Sequence, residues 1–204
     1  GDATVKIEVN GTKRGIIGDT VDMSLCAKAK DEFNMGCKAR TVSFTQLYGG
    51  KITAALSRQH PRDLFDCKYM DISSFEDVKD GFMLCLLGSD KPIIESLQPN
   101  EIDQTDALEK QFEGMSDIAF SYEDYKQARL QLVKLVQEGM TKADKDFLLS
   151  FEEGCPDWSL CSAGDLSKYP SVQWKLLNIR NLKEHNIQKH EQGIKKLKDF
   201  LFPK

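Results

Sequence analysis

The 204-residue chain lacks several features that would assign it to a familiar class at once. No apolar run reaches the about 18 residues of a membrane-spanning helix, and no secretory signal peptide is recognisable. The GxSxG, GxGxxG, HExxH and P-loop patterns are absent as well, which excludes the common hydrolase, dinucleotide-binding and zinc-protease signatures. We therefore expect a cytoplasmic protein without membrane spans.

Cysteine is present, but not in a pattern that binds a metal or builds a disulfide scaffold. The six cysteines include no CxxC pair, and disulfide scaffolds are typical of short secreted chains. No Cys/His spacing suits zinc either. We expect free thiols, most of them buried, in a reducing compartment.

The net charge is only −4, but it is unevenly distributed. Residues 95–124 contain nine acidic side chains and one basic one, whereas residues 175–204 contain eight lysines or arginines and three acidic side chains. A basic end of this kind can bind phosphates. A solvated helix face is the simpler interpretation of the same charges.

The hydrophobic pattern changes once along the chain, from strand-like to helical spacing. Residues 4–9, 21–25 and 38–42 alternate as half-buried strands do. From Phe44 onward the apolar residues recur at helical spacing. This order of runs predicts an α+β fold, with a small N-terminal β-sheet in residues 1–43 and an α-helical bundle in residues 44–204.

Capping signals predict where several helices begin. Pro61 suits the first turn of a helix. Ser121 followed by Asp124, and Thr141 followed by Asp144, match the capping-box spacing at two further helix starts.

The helix predicted from about residue 171 begins with Trp174 and Lys175 among apolar residues. Tryptophan at such a position is most often part of a core, and a neighbouring lysine can extend its charged end to water. We therefore predict that Trp174 is buried and that Lys175 points outward.

One stretch, residues 51–68 (KITAALSRQHPRDLFDCK), brings cations and carboxylates to the junction of two predicted helices. Lys51 and Arg58 lie on the first helix, and Asp63 and Asp66 share a face of the second. Acidic pairs close to lysine and arginine are what metal-assisted chemistry on a nucleotide phosphate requires.

The same four residues also have a purely structural interpretation, which the pattern alone favours. Asp63 lies in the first turn of its helix, where the helix dipole stabilises an anion. Asp66 lies four residues after Arg62, and the two could form a surface ion pair of small energetic value.

Two residues outside the acidic pair are weaker candidates. Glu8 lies in the first predicted strand and is a candidate Mg²⁺ ligand if other carboxylates converge on it; a lone strand glutamate more often faces solvent. His60 precedes a proline, which holds it extended. A role as general base is conceivable, but no nucleophile lies beside it in sequence.

Five blocks of the sequence, taken in order, resemble one known family. They are TVKIEVN (residues 4–10), YGGKITAALSRQHPRDLFDCK (48–68), FSYEDYKQAR (120–129), DKDFLLSFEEGCPDWSL (144–160) and VQWKLLNI (172–179). Together they are similar to the AbiEii/AbiGii-type nucleotidyltransferase toxins, and the lysine followed by Pro-Arg-Asp-x-x-Asp is the most specific part.

The resemblance implies a bacterial nucleotidyltransferase of the polymerase β-like superfamily, acting as a toxin of a toxin–antitoxin or phage-defence system. Such enzymes transfer a nucleotide from an NTP to an acceptor, for some members tRNA, with Mg²⁺ as cofactor. A cognate antitoxin is the implied protein partner.

By motif match, the resemblance also implies roles for individual residues. Lys51 corresponds to the lysine that neutralises triphosphate charge, and Asp66 to the essential aspartate, with Asp63 beside it. Arg58 and Arg62 are the associated phosphate-binding candidates. Asp66 would either orient Lys51 or help to position the metal or the acceptor.

The chain departs from the family pattern in one respect. We find no Gly-Ser turn followed by an Asp-x-Asp strand, the superfamily motif that carries the metal ions; Gly88-Ser89 follows a predicted helix instead. Family sequences place this motif before the strand that corresponds to residues 4–10. We therefore expect this chain to be the C-terminal part of a longer enzyme, with residues 1–43 a remnant of its sheet, and to be inactive alone.

Two other functions stay open from the sequence. The chain could be a non-catalytic module whose basic C-terminal helices bind RNA or a protein. It could also be an antitoxin-like or scaffolding helical protein with no nucleotide role, in which case Lys51 and Asp66 would tolerate substitution with little effect.

Overall fold

A computed structural model describes residues 15–203 of the chain. In this part a small sheet is followed by a series of helices, which confirms the predicted α+β class. The strand predicted at residues 4–9 lies outside the described residues. The elements are β1 (Val21–Ser24), α1 (Ala27–Phe33), β2 (Lys38–Thr41), α2 (Phe44–Arg58), α3 (Pro61–Lys68), α4 (Lys79–Leu87), α5 (Ile93–Leu97), α6 (Thr105–Ala107), α7 (Tyr122–Gly139), α8 (Lys142–Glu152), α9 (Pro170–His185) and α10 (Ile187–Leu201).

The strands β1 and β2 form an antiparallel pair, with Val21 opposite Thr41 and Ser24 opposite Lys38. All of β1 is exposed, and within the described residues α1 contributes no buried side chain. Both observed strands fall within the residues predicted from alternation. The core of the described part therefore lies among the helices and not in the sheet.

The chain before the sheet is tied to the first long helix. Ile17 donates its backbone N–H to Gln46 Oε1 at 2.9 Å and accepts a hydrogen bond from Ser43 Oγ at 2.8 Å. The Tyr169 hydroxyl donates to the Ile16 carbonyl oxygen at 3.0 Å. These contacts place the sheet-bearing segment beside the beginning of α2.

Helices α2 and α4 approach each other so closely that two glycines are required. A Cβ atom on Gly49 would lie 2.1 Å from the backbone nitrogen of Phe82, and one on Gly81 would lie 2.0 Å from the carbonyl oxygen of Thr45. Atoms cannot pack at these separations, so only glycine allows this crossing. The position of α2, which carries Lys51, depends on it.

The buried core joins α2, α3, α4, α7 and α8. Its largest fully buried side chains include Tyr125, Phe82, Phe147, Phe151 and Ile52. Side chains of this size each contribute a few kilocalories per mole when they are removed from water. The core thus holds in place the two helices, α2 and α3, that carry the candidate site.

The predicted capping boxes are confirmed at the starts of α7 and α8. Ser121 accepts from the backbone N–H of Asp124, and Thr141 accepts from that of Asp144, with the carboxylates returning the contact in both cases. Pro61 occupies the first turn of α3, also as predicted. These signals were readable in the sequence because each involves residues only three positions apart.

The expectation of mostly buried thiols is wrong for Cys26, Cys37 and Cys155, which are exposed. Cys67 and Cys161 are buried. Between residues 15 and 203, no helix combines the length and the apolar character needed to cross a membrane.

Candidate functional site

The junction between α2 and α3 brings the predicted site residues together. Lys51 lies in the middle of α2, and Asp66 lies in the second turn of α3. The two helices are separated only by Gln59 and His60, and they pack against each other. Residues 15 positions apart in sequence therefore become neighbours.

Lys51 and Asp66 form a direct ion pair. The distance between Lys51 Nζ and Asp66 Oδ2 is 2.5 Å, and the two side chains are 36% and 39% exposed. Hydrogen bonds of this kind between two charged groups are short and strong. Because both side chains stay partly exposed, a ligand in solvent can reach the pair.

Arg58 and Asp63 form a second ion pair at the same junction, with 2.9 Å between Arg58 Nη2 and Asp63 Oδ1. The Asp63 side chain is only 10% exposed, whereas that of Arg58 is 59% exposed. Asp63 Oδ2 is buried and accepts no hydrogen bond from any described residue. Asp63 is thus inward-facing and Arg58 is the reachable member of the pair.

Arg62 is exposed at the beginning of α3. The surface pair that its spacing suggested is not the one that forms, because the Asp66 carboxylate is held by Lys51 instead. Asp66 therefore pairs with a lysine on α2 and not with Arg62, its neighbour on α3.

His60 caps α3. Its Nδ1 accepts the backbone N–H of Arg62 at 3.2 Å, and its Nε2 lies 3.1 Å from Gln111 Oε1. Its backbone is extended, as predicted for a residue before proline. With both ring nitrogens already in contacts, His60 has a clear role at the helix start.

Cys67 lies directly behind the acidic pair and is buried. Burial, together with the nearby carboxylates of Asp66 and Asp63, raises the pKa of its thiol to about 12. A thiol with so high a pKa stays protonated and is a poor nucleophile. Cys67 is therefore part of the support of α3 and not a reacting group.

The predicted magnesium site has no counterpart in residues 15–203. Glu8 lies outside the described residues, and within them no group of three or more His, Cys, Asp or Glu side chains is arranged to hold a metal ion. Asp66 and Asp63 are each engaged by a cation. Mg²⁺ stays a prediction, because its candidate ligand Glu8 lies outside the described part of the chain.

One Asp-x-Asp sequence does occur in the chain, Asp144-Lys145-Asp146, but it lies on α8. Asp144 is 1% exposed, forms the capping box with Thr141, and lies 3.4 Å from Lys79 Nζ. These contacts use the carboxylate to hold the start of a helix. Asp144 is thus structural, and because this Asp-x-Asp sequence lies on a helix it differs from the strand motif of the superfamily.

The prediction for Trp174 and Lys175 is wrong, since their positions are reversed. Trp174 is 61% exposed, whereas Lys175 is only 8% exposed. Lys175 Nζ lies 3.0 Å from the carbonyl oxygen of Leu86, 3.2 Å from that of Ser89 and 2.6 Å from that of Lys91. The last turn of α4 and the chain that follows it supply these acceptors, and no local pattern in α9 could reveal them.

A cavity of about 560 Å³ runs beside α2 and reaches Arg58. On one side it is lined by α2 residues that include Gly50, Ala54 and Ser57, and on the other by residues 88–91. Its volume is in the range of small-molecule sites. A ligand that contacts the Arg58 end of α2 therefore has room to bind.

A family model described as "Nucleotidyl transferase AbiEii toxin, Type IV TA system" matches residues 1–176. The chain belongs to this family. The matched range includes both ion pairs at the α2–α3 junction and the start of α7 with its FSYEDYKQAR block. Helix α10 lies beyond the part that matches the AbiEii model.

The suspected family resemblance is thereby confirmed. A search of the curated proteins and a search of the solved structures gave no significant match. Membership in the AbiEii family indicates a nucleotidyltransferase toxin of a type IV toxin–antitoxin system, with a cognate antitoxin as its partner.

Proposed function

We propose that this chain supplies the lysine–aspartate pair of a nucleotidyltransferase toxin, which transfers a nucleotide from an NTP to an RNA acceptor, with tRNA as the first candidate. The observation that carries the proposal is the 2.5 Å contact between Lys51 Nζ and Asp66 Oδ2. It joins two residues selected from the sequence by their match to a nucleotidyltransferase motif, in a chain that belongs to such a family.

Lys51 is suited to bind the triphosphate. A lysine ammonium has three N–H donors, and Asp66 accepts one of them, so the others are available to phosphate oxygens. In nucleotidyl transfer, an acceptor hydroxyl oxygen forms a bond to the α-phosphorus while the bond to pyrophosphate breaks. A cation held beside the phosphates stabilises the negative charge in that transition state.

Asp66 acts on Lys51 in this proposal. Of the roles open to it, the direct contact supports the orientation of Lys51 over the positioning of an acceptor. Arg58 is 59% exposed and adds positive charge at the same junction. Asp63, which is mostly buried, contributes by holding Arg58 and the first turn of α3.

The RNA acceptor would bind largely through its phosphates. Exposed basic side chains near the C-terminal end of the chain include Arg180, Lys183, Lys189 and Lys195. Contacts of lysine and arginine with phosphates release counterions, so such binding weakens steeply as salt increases. Mg²⁺ stays a prediction for the reaction, and we assign no step to it.

The test uses the protein expressed from its complete coding sequence. It is incubated with each labelled NTP in turn, Mg²⁺ and total tRNA, and transfer of label to RNA or protein is measured. Lys51→Ala and Asp66→Asn should abolish most of the transfer. Lys142→Ala, which removes the exposed ion pair with Asp146 on α8, is the matched control and should transfer normally.

Two results would contradict the proposal. One is a wild-type protein that transfers no nucleotide to any acceptor in the mixture. The other is transfer that continues at the wild-type rate in both Lys51→Ala and Asp66→Asn.

A further inference from the structure

Gln59, the first of the two residues that join α2 to α3, adopts a backbone conformation that is unfavourable for a residue other than glycine. Gln59 has φ 52° and ψ 29°, in the left-handed region, and its side chain is almost fully buried, at 2% exposure. A non-glycine residue in this region costs of the order of 1 kcal/mol and persists only where its surroundings fix it. Here the strained residue lies between the helix of Lys51 and the helix of Asp66.

Side chains of α7 and the chain before it hold Gln59 from several directions. Its Oε1 accepts from Arg129 Nε at 2.7 Å, its Nε2 donates to the Asn100 carbonyl oxygen at 2.6 Å, and its own carbonyl accepts from the Tyr125 hydroxyl at 3.0 Å. Arg129 Nη2 also donates to the Pro99 carbonyl oxygen at 2.6 Å. Every polar group of the Gln59 side chain is thus in use.

The first turn of α7 also contacts α3 directly. Asp124 Oδ1 lies 2.6 Å from Lys68 Nζ, at the end of α3. Hydrogen bonds from Lys68 and from Ser121 hold the pKa of Asp124 well below its usual range, so its carboxylate stays ionised. Tyr125 and Arg129 lie four residues apart, so they share one face of α7, whereas Asp124 contacts α3 from a different side of the helix.

These contacts give a role to the FSYEDYKQAR block (residues 120–129). The block contains Asp124, Tyr125 and Arg129, and none of them belongs to the Lys51–Asp66 pair. We propose that Arg129 is a positioning residue which, through Gln59 and together with Tyr125, fixes the angle between α2 and α3 and so holds Asp66 in contact with Lys51.

The position of the Asp66 carboxylate is sensitive to the backbone angles of Gln59. Asp66 lies seven residues after Gln59, so a small rotation at Gln59 moves the Asp66 carboxylate along an arc. Displacements of about 1 Å at reacting groups can cost about a hundred-fold in rate. A partly buried arginine whose N–H groups join two other segments resists such a rotation better than a single-point contact would.

The first experiment does not require an active enzyme. Cys67 on α3 and Cys161 after α8 are both buried, each 7% exposed, so alkylation of either reports local opening. The rate of alkylation at each is measured by mass spectrometry in wild-type protein and in Arg129→Met. We expect at least a ten-fold increase at Cys67 with no change at Cys161.

Arg180→Met is the matched control, because Arg180 Nε also holds a loop carbonyl, that of Gly154, at 3.1 Å. It should leave Cys67 protected. Equal acceleration of Cys67 and Cys161 in Arg129→Met would mean general destabilisation, and unchanged Cys67 would mean that Arg129 does not hold the junction. Either result overturns the inference.

The second experiment rests on the proposed function and measures nucleotidyl transfer. Arg129→Met should lower kcat about ten- to a hundred-fold, and Arg129→Lys, which keeps one donor group, should recover part of it. In an Asp66→Asn background the same change should have almost no further effect, because the contact that Arg129 positions is already lost. Full additivity of the two substitutions would overturn the inference.

The two experiments separate the two proposals. If wild-type protein transfers no nucleotide but Cys67 opens selectively, the proposed function fails while the positioning of α3 stands. If transfer is present but Arg129→Met changes neither kcat nor Cys67, the positioning inference fails alone.

Discussion

Two lysines in family-like blocks of this chain differ in what their ammonium groups can still bind. Lys51 is partly exposed and has one carboxylate partner, so it keeps donors for a phosphate. Lys175 is buried, and its Nζ lies within hydrogen-bond distance of three carbonyl oxygens and the Ser89 hydroxyl. Unused donor capacity, and not the presence of lysine in a motif, distinguishes a binding residue from a structural one.

The environments of the two lysines also differ in electrostatics. Burial lowers the pKa of Lys175 to about 8, a change opposed by the nearby carboxylates of Glu152 and Asp90. Glu152 is partly buried, and the loss of water around its carboxyl group raises the pKa of that group. The charged form of Lys175 is thus destabilised by the loss of water, while its ammonium group holds the end of α4 and the residues that follow.

The largest expected effect is the loss of activity when Lys51 is replaced. Lys51→Ala should lower kcat/KM for nucleotidyl transfer about a thousand-fold, the upper range for loss of a charge-stabilising group, because it removes the ammonium that Asp66 holds at the α2–α3 junction. The free energy of unfolding, measured in urea, should change by less than about 1 kcal/mol because the ion pair is partly exposed. A loss of stability as large as that of a core mutation would remove the contrast with Lys175.

The next largest expected effect is the loss of stability when Lys175 is replaced. Lys175→Ala should lower the free energy of unfolding by about 3 kcal/mol, since it removes the donor to one buried and several partly buried oxygens. Lys183→Ala is the control, because Lys183 is exposed and donates to one carbonyl, that of Glu153, at 3.1 Å. If urea unfolding showed the two variants to be equally stable, the oxygens around Lys175 would not need its ammonium.

A smaller effect tests whether the exposed and the buried member of the Arg58–Asp63 pair also differ in their contribution to stability. Asp63→Ala should lower the free energy of unfolding by about 1–2 kcal/mol, because it removes a mostly buried partner of Arg58 and an anion in the first turn of α3. Arg58→Ala should cost less, since its side chain is largely exposed. Thermal unfolding of both variants checks the order, and the reverse order would contradict it.

The smallest effect is a pH dependence specific to Lys175. Unfolded lysine keeps its proton to a pH of about 10.5, whereas in the folded protein the pKa is about 8. Between these values the unfolded state binds more protons, so stability increases with pH. Relative to Lys175→Met, the wild-type free energy of unfolding should therefore increase by about 1 kcal/mol from pH 8 to pH 9; a decrease would contradict the lowered pKa.

Much of the fold was predictable because the signals were local. The change from strand-like to helical spacing, the proline at the start of α3 and the two capping boxes each depend on residues a few positions apart. Both strands, β1 and β2, also lie within the predicted ranges. The strand at residues 4–9 and Glu8 lie outside the described residues and stay predictions.

The candidate site residues were selected from the sequence by motif, which left more than one role open for Asp66. Lys51 and Asp66 were selected by motif, yet the helix spacing alone offered Arg62 as the partner of Asp66. The contact with Lys51 depends on the turn at Gln59, and the groups that hold Gln59 lie 41 to 70 residues further along the chain. Trp174 and Lys175 were misassigned for the same reason, since the acceptors of Lys175 belong to another segment.

The crossing of α2 and α4 at Gly49 and Gly81 has a consequence for how mutational scans of this chain are interpreted. Gly49 stands two positions before Lys51, and a single added methyl group there collides with backbone atoms of α4. In such a scan, substitutions of Gly49 would abolish activity as completely as substitutions of a reacting residue. Gly49 nevertheless has no side chain that could take part in a reaction. Only a measurement that separates the amount of folded protein from the activity of each folded molecule would tell the two kinds of intolerance apart.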